Sequence, residues 1–200
     1  MEITEKIKGK LDLAFNESKI NYISIVSDNI VEILMDCISM NFENKFPEDD
    51  RHKFVFTDFG RMAISFKLGE WDNDKAEIIK INALELKSKF ENLKLDSMYG
   101  CEFINLDDKS FNDWKDKISL DIINNSNWDK MNTIDLFAEQ IGKDSVTIDI
   151  RIWFKDFKVF DYFGTELTKT EFIDNAERGW NQLYKTGISS DNHKTKKIEK

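Results

Sequence analysis

Apolar residues recur along this chain at two spacings, and the change from one to the other divides it into helices and strands. Ile3, Ile7, Leu11 and Ala14 lie three or four positions apart with Lys and Glu between them, which predicts an amphipathic helix over residues 3–15. "INYISIV" then reads as a short strand. Asp28 can cap a helix whose stripe is Ile30, Ile33, Leu34, Cys37, Ile38 and Phe42; the alternative is a hairpin between 21 and 35. In "KFVFTDFGRMAISFKL" the period becomes two, with Phe54, Phe56, Ile64, Phe66 and Leu68 all at even positions. A one-residue slip inverts the faces of a strand, so an odd number of residues must join the two arms. A three-residue loop of Phe59, Gly60 and Arg61, with Gly60 at positive φ, meets that demand and predicts a hairpin over 53–68.

"AEIIKIN" follows as a strand, and Asn82 with Glu85 forms a capping box for a helix carrying Ala83, Leu86, Phe90 and Leu93. "MYGCEFINL" reads as a strand, and Ser110 with Asp113 starts a helix whose stripe is Phe111, Trp114, Ile118 and Ile122. Thr133 caps a short helix "IDLFAEQIG" that Gly142 stops. "VTIDIRIWF" places Val146, Ile148, Ile150, Ile152 and Phe154 on one face, and "FKVFDYFG" folds back on it across a Lys155–Asp156 turn, a second hairpin over 146–163. Thr168 and Glu171 form a capping box for a helix that ends near Gly187 and turns Phe172, Ala176, Trp180 and Leu183 inward. Together these elements predict a single α+β domain over 1–188, mainly antiparallel hairpins in one or two sheets with helices packed on at least one face. Residues 189–200 carry no apolar stripe and are expected to be a loose basic tail.

Composition agrees with an ordered globular chain. Of 200 residues 40% are hydrophobic and 34% charged, and a single Pro and 8 Gly leave few interruptions, while 16 Phe and 5 Trp supply bulk for a core. Cys37 and Cys101 lack any CxxC spacing, which argues against a disulfide framework or structural zinc and for a reducing compartment. No apolar run reaches a membrane span or the core of a signal peptide, so a cytoplasmic protein without a membrane partner is expected. The net charge is −9; setting aside the tail, 25 Lys and Arg face 36 Asp and Glu, a net of −11. Such a body repels phosphates and attracts cations, which disfavours nucleic acid and favours a basic protein as partner.

The chemistry-bearing motifs are sparse. His52 and His193 are the only imidazoles, and no phosphate loop, dinucleotide fingerprint, nucleophile elbow or zinc helix occurs, so no catalytic, metal or cofactor residue is assigned. "EDDRH" at 48–52 reads as a solvated acidic loop, with hard-cation ligation as the sharper alternative. Asp58 or Asp72 with "ELK" at 85–87 loosely matches a metal-dependent nuclease, but its second half falls on the capped helix. Two partner-binding groups stand out. Trp71 with Asp72 and Asp74 sets an aromatic anchor among acids, suited to Lys or Arg.

In the hairpin register that pairs Phe154 with Phe157, Ile152 with Val159 and Ile148 with Phe163, the apolar side is core. Trp153, Phe160 and Tyr162 then share the opposite face with Asp149, Arg151 and Lys158 as an interface patch or the underside of a covering helix. The same register sets Asp161 opposite Ile150, as an edge guard or a functional acid. The expected function is an acidic binding protein of the inhibitor, immunity or antitoxin kind that docks on a basic partner and blocks it. The alternatives are a divalent-metal nuclease or hydrolase using Asp58, Asp72 and Asp74, and a small-molecule binder walled by Trp153, Phe160 and Tyr162.

Overall fold

Two long strands carry the architecture, and each one bends from one sheet into another. The computed structural model describes residues 3–70, 73, 75–96, 100–104, 110–114, 116–142 and 144–188. Strand β3 (Arg51–Thr57) runs through a corner at Asp58–Gly60 into β4 (Arg61–Leu68). Strand β9 (Val146–Phe154) runs through Lys155 into β10 (Asp156–Phe160). The pairs are antiparallel along their whole length: Arg61 faces Trp153 in one sheet, and Thr57 faces Asp156 in the other. Three residues, 58–60, therefore stand opposite two, 154–155, and this extra residue is the bulge that turns the corner.

Neither segment is the hairpin its alternation suggested. The parity argument holds all the same, because three inserted residues keep Phe54, Phe56, Ile64 and Phe66 on one buried face whether the chain reverses or only bends. Leu68, at the open end, lies exposed. At the corner the left-handed φ belongs to Asp58 (φ 48°), not to Gly60. Glycine is needed at 60 for space: a Cβ there would lie 2.5 Å from Met131 Sδ and 2.9 Å from Trp128 Cβ.

The first sheet has the order β1-β2-β3-β10-β11, with β1 at Lys19–Ser27, β2 at Ile30–Asp36 and β11 at Glu166–Leu167. The second runs β5-β4-β9-β8-β6, with β5 at Glu77–Ile78, β6 at Gly100–Ile104 and β8 at Asn132–Gln140; β7 (Leu120–Ile123) pairs with β4 as well. Helix α1 is Glu5–Phe15, α2 is Leu86–Glu91 and α3 is Lys169–Thr186. This is the expected α+β arrangement, antiparallel throughout, with helices packed against the sheets.

Three predicted helices are strands or shorter turns. Residues 30–36 form the second arm of a hairpin with β1, because Val31, Ile33 and Met35 alternate into the core and β-branched residues lose χ1 freedom in a helix. The same rule of two governs β8, where Ile134, Leu136 and Ala138 turn inward between β6 and β9. Among the described residues of the predicted helix over 110–122, Ser110–Trp114 alone is helical, as a 3-10 segment, and Leu120–Ile123 extends along β4. Asn82 does cap a turn, accepting from the backbone N–H of Leu84 and Glu85, and α2 follows with Leu86 and Phe90 buried.

Helix α3 matches its prediction closely. Thr168 Oγ1 accepts from Glu171 N–H while the Glu171 carboxylate accepts from Thr168 N–H, and Gly187 closes the helix at φ 68°. Its apolar stripe lies on the core under the first sheet. Phe172 meets Phe54 at 5.2 Å between ring centroids and Phe15 of α1 at 5.7 Å, both edge-on. Truncating Phe172 to Ala removes the ring on which α1, β3 and α3 converge, a change worth about 3–5 kcal/mol in such cores.

Candidate functional site

The bends decide which aromatic rings are available to a partner. Trp153, on the outer face of the second sheet, is only 5% exposed. Phe111 and Trp128 stand edge-on to it at 4.8 and 4.9 Å, so a 3-10 segment and a turn cover this face. Two guanidiniums are stacked into the same layer: Arg61 lies 4.5 Å from the Trp128 ring centre and 4.6 Å from Phe111, and Arg151 lies 5.6 Å from Trp114. Arg151, 3% exposed, forms a two-pronged pair with Asp135, and Arg61 does the same with Asp121. Trp153 is thus structural, and the expected surface uniting it with Phe160 and Tyr162 does not exist. The chain crosses between sheets at Lys155, which separates Trp153 from the other two. Phe160 is half-buried on the first sheet beneath Lys53 Nζ at 5.2 Å. Trp71, Asp72 and Asp74 lie outside the described residues.

Tyr162 opens onto something different. Between α3, the 39–50 connection and the β10–β11 turn lies a cleft of about 500 Å³. Phe42 (81% exposed), Phe163 (71%) and Tyr162 (48%) carry rings at this cleft, and Met40, Pro47 and Leu167 add apolar wall. The 39–50 connection is pinned to α3 by backbone contact at Gly179 and by Met40 N–H donating to Asn175 O at 2.9 Å. Arg178 seals the join: Nε donates to Met40 O at 3.3 Å and Nη2 to Asn175 Oδ1.

Asp161, Glu171 and Asp174 bring carboxylates to the cleft, and none of the three forms an ion pair with Lys or Arg among the described residues. Asp161 does not face Ile150; it sits in the β10–β11 turn and accepts from Thr165 N–H at 2.8 Å. Hydrogen bonds from Thr168 hold the Glu171 carboxyl below its ordinary range. Asp49, a fourth acid, is held by Arg51 through both carboxylate oxygens, and the Arg51 guanidinium lies 4.2 Å over the Tyr162 ring. "EDDRH" is therefore built structure rather than a solvated loop: Asp50 and His52 are both 4% exposed, and His52 belongs to β3.

His52 lines the cleft from below. Its Nδ1 lies 2.8 Å from Asp50 O, and since a carbonyl only accepts, that nitrogen carries the proton. Burial holds the imidazole below its ordinary pKa, against the opposing pull of Asp50, Asp161 and Asp49. The neutral ring presents Nε2 as an acceptor, and Nε2 makes no hydrogen bond among the described residues.

Of the metal-nuclease candidates, Asp72 and Asp74 lie outside the described residues. Asp58 is exposed at the corner beside Lys155 at 3.8 Å, and Lys87 of α2 sits 4.5 Å over Tyr22. Among the described residues no group of three or more His, Cys, Asp or Glu is placed to hold a metal ion. No described helix is long and apolar enough to cross a membrane.

Of the cleft residues, the sequence singled out Tyr162 as an expected partner-binding ring and Asp161 as an edge guard or functional acid. Asp174 and Phe42 were not singled out. A signal for the former existed: Glu171, Asp174, Asn175 and Arg178 repeat at helical spacing as a polar stripe beside the apolar one. No protein-family model matches the chain, and no curated protein or solved structure matches it either.

Proposed function

We propose that this chain is a noncatalytic acidic binding protein of the inhibitor or antitoxin kind, which docks a basic protein at the cleft beside α3 and blocks it. The observation that carries this reading is the joint presence, on one concave surface, of exposed rings and of carboxylates that form no ion pair among the described residues. Phe42, Tyr162 and Phe163 offer apolar area that water solvates poorly, while Asp161, Glu171 and Asp174 attract a cation to it. The charge of the whole body acts in the same sense at longer range and speeds encounter.

The test is association with a basic partner recovered from the host, measured at low and high salt on the native protein and on the triple variant Asp161→Asn, Glu171→Gln, Asp174→Asn. Expected is a loss of about tenfold or more in affinity from each treatment, mostly through slower association for salt. Association indifferent to both salt and the triple change refutes the reading.

A small-molecule binder is the second reading, supported by the size of the cleft and its three rings. Its walls are Phe42, Tyr162 and Phe163 in place of Trp153 and Phe160. Thermal stabilisation by an uncharged aromatic compound that survives high salt and the triple change would favour it over the first.

A further inference from the structure

The acceptors around the cleft are arranged for a ligand that brings only donors. Asp174 accepts no hydrogen bond and makes no ion pair among the described residues; Lys10, paired with Glu177 at 2.7 Å, acts on it only through space. Asp161 uses Oδ1 on Thr165 N–H, and its other oxygen has no partner among the described residues. His52, nine-tenths buried at the floor, offers the unused Nε2 lone pair. Water reaches these acceptors in the free protein, so a bound cationic donor gains by replacing it with charge-assisted hydrogen bonds. The cation already lining the cleft, Arg178, is committed to Met40 O and Asn175 Oδ1 and does not reach these groups.

Resting on the docking reading above, we infer that the cleft takes an arginine side chain of the basic partner. Three features select guanidinium over ammonium. The acceptors belong to three separate groups on β3, the β10–β11 turn and α3, which suits five donors spread in a plane better than one compact charge. The rings of Tyr162 and Phe163 stand 5.8 Å apart and edge-on, so a planar cation can lie on one while its stem covers the other. Tyr162 already carries the guanidinium of Arg51 on its ring, so this ring stacks with that chemistry inside the protein itself. Met40 and Leu167 supply wall for the aliphatic stem.

The experiment is an amide NMR titration of the full chain with acetyl-Gly-Arg-Gly-amide, alongside its citrulline and lysine counterparts. A lone arginine in such a site binds at about millimolar strength. The expected result is that the arginine peptide moves the resonances of Tyr162, Phe163, Asp174 and Arg178, that the citrulline peptide leaves them in place, and that the lysine peptide binds several-fold more weakly. Asp174→Asn and Asp161→Asn, the latter keeping an acceptor for Thr165 N–H, each weaken the arginine peptide by about tenfold, while Glu91→Gln on α2 does not. Absence of cleft shifts, equal binding of citrulline or lysine, or indifference to both Asp changes overturns the inference. The docking reading is judged by salt dependence of partner association, so the two fail separately.

Discussion

A Cβ on Gly179 would stand 2.9 Å from both the Cα and the backbone nitrogen of Ser39. The start of the 39–50 connection therefore lies directly on α3, and that contact builds one wall of the cleft. Gly→Ala inside a helix normally stabilises by about 0.5–1 kcal/mol. Gly179→Ala is expected to do the opposite, because a backbone neighbour cannot swing away. Gly9→Ala in α1, where nothing lies within 4 Å, supplies the comparison and is expected to raise the melting temperature by about 2–4 °C. Thermal unfolding of both variants checks the pair; a rise for Gly179→Ala means the wall is not seated on the helix.

The Arg151–Asp135 pair makes a second prediction. Arg151 is almost fully buried and stacked among rings, while Asp135 keeps about a quarter of its side chain exposed. Arg151→Met leaves a largely covered carboxylate without its fork and should cost roughly 3 kcal/mol, the low end for a broken buried pair. Arg151→Lys should recover only part of that, since an ammonium gives neither the two-pronged bond nor the stack. Urea unfolding measures both, and equal stability of Lys and Arg at 151 would contradict this account.

His52 sets a pH dependence whose sign follows from burial. Its folded pKa is depressed below the unfolded value of about 6.5, so the unfolded chain binds the proton first as pH falls. Stability from the neutral ring is full above that value and declines as pH drops below it, until the native ring itself protonates. Unfolding midpoints at pH 7.5 and 5.5 should differ in the native protein and differ less in His52→Asn, whose amide still donates to Asp50 O. An unchanged difference would assign the slope to carboxylates instead.

Cys37 is 2% exposed, and burial pushes its thiol up to about 12, with Ser18 pulling the other way and the Asp36 and Asp50 charges adding to the rise. In a Cys101→Ser background, Cys37 should react with a disulfide reagent at pH 8 about 1,000-fold slower than a free thiol, until denaturant is added. Prompt labelling of the folded protein would show that the site opens far more often than its packing implies.

Much of this fold was legible because local signals agreed with each other. Thr168, Glu171 and Gly187 mark both ends of α3 chemically, and five apolar residues at even positions mark β9. The helix expected over 28–42 failed because Ile30, Ile33, Leu34 and Cys37 satisfy a helical stripe, while Val31, Ile33 and Met35 satisfy a strand equally well. Only the presence of β1 and β3 on either side decided between them.

The candidate site was less legible than the fold. Tyr162 was picked out beforehand, but grouped with Trp153 by a hairpin that the chain does not make. His52, Asp161 and Asp174 lie far apart in sequence, and nothing local says that one cleft collects them.

Periodicity, caps and net charge are properties of neighbouring residues, so the sequence by itself determined the alternating strands, the capped C-terminal helix, the α+β class and the acidic body. Whether residues 58–60 and 155 reverse the chain or merely bend it depends on which strands are available to pair, a long-range choice that parity leaves open. The tertiary structure made that choice, and with it buried Trp153 beneath Phe111 and Trp128 and left Tyr162 at the mouth of a cleft.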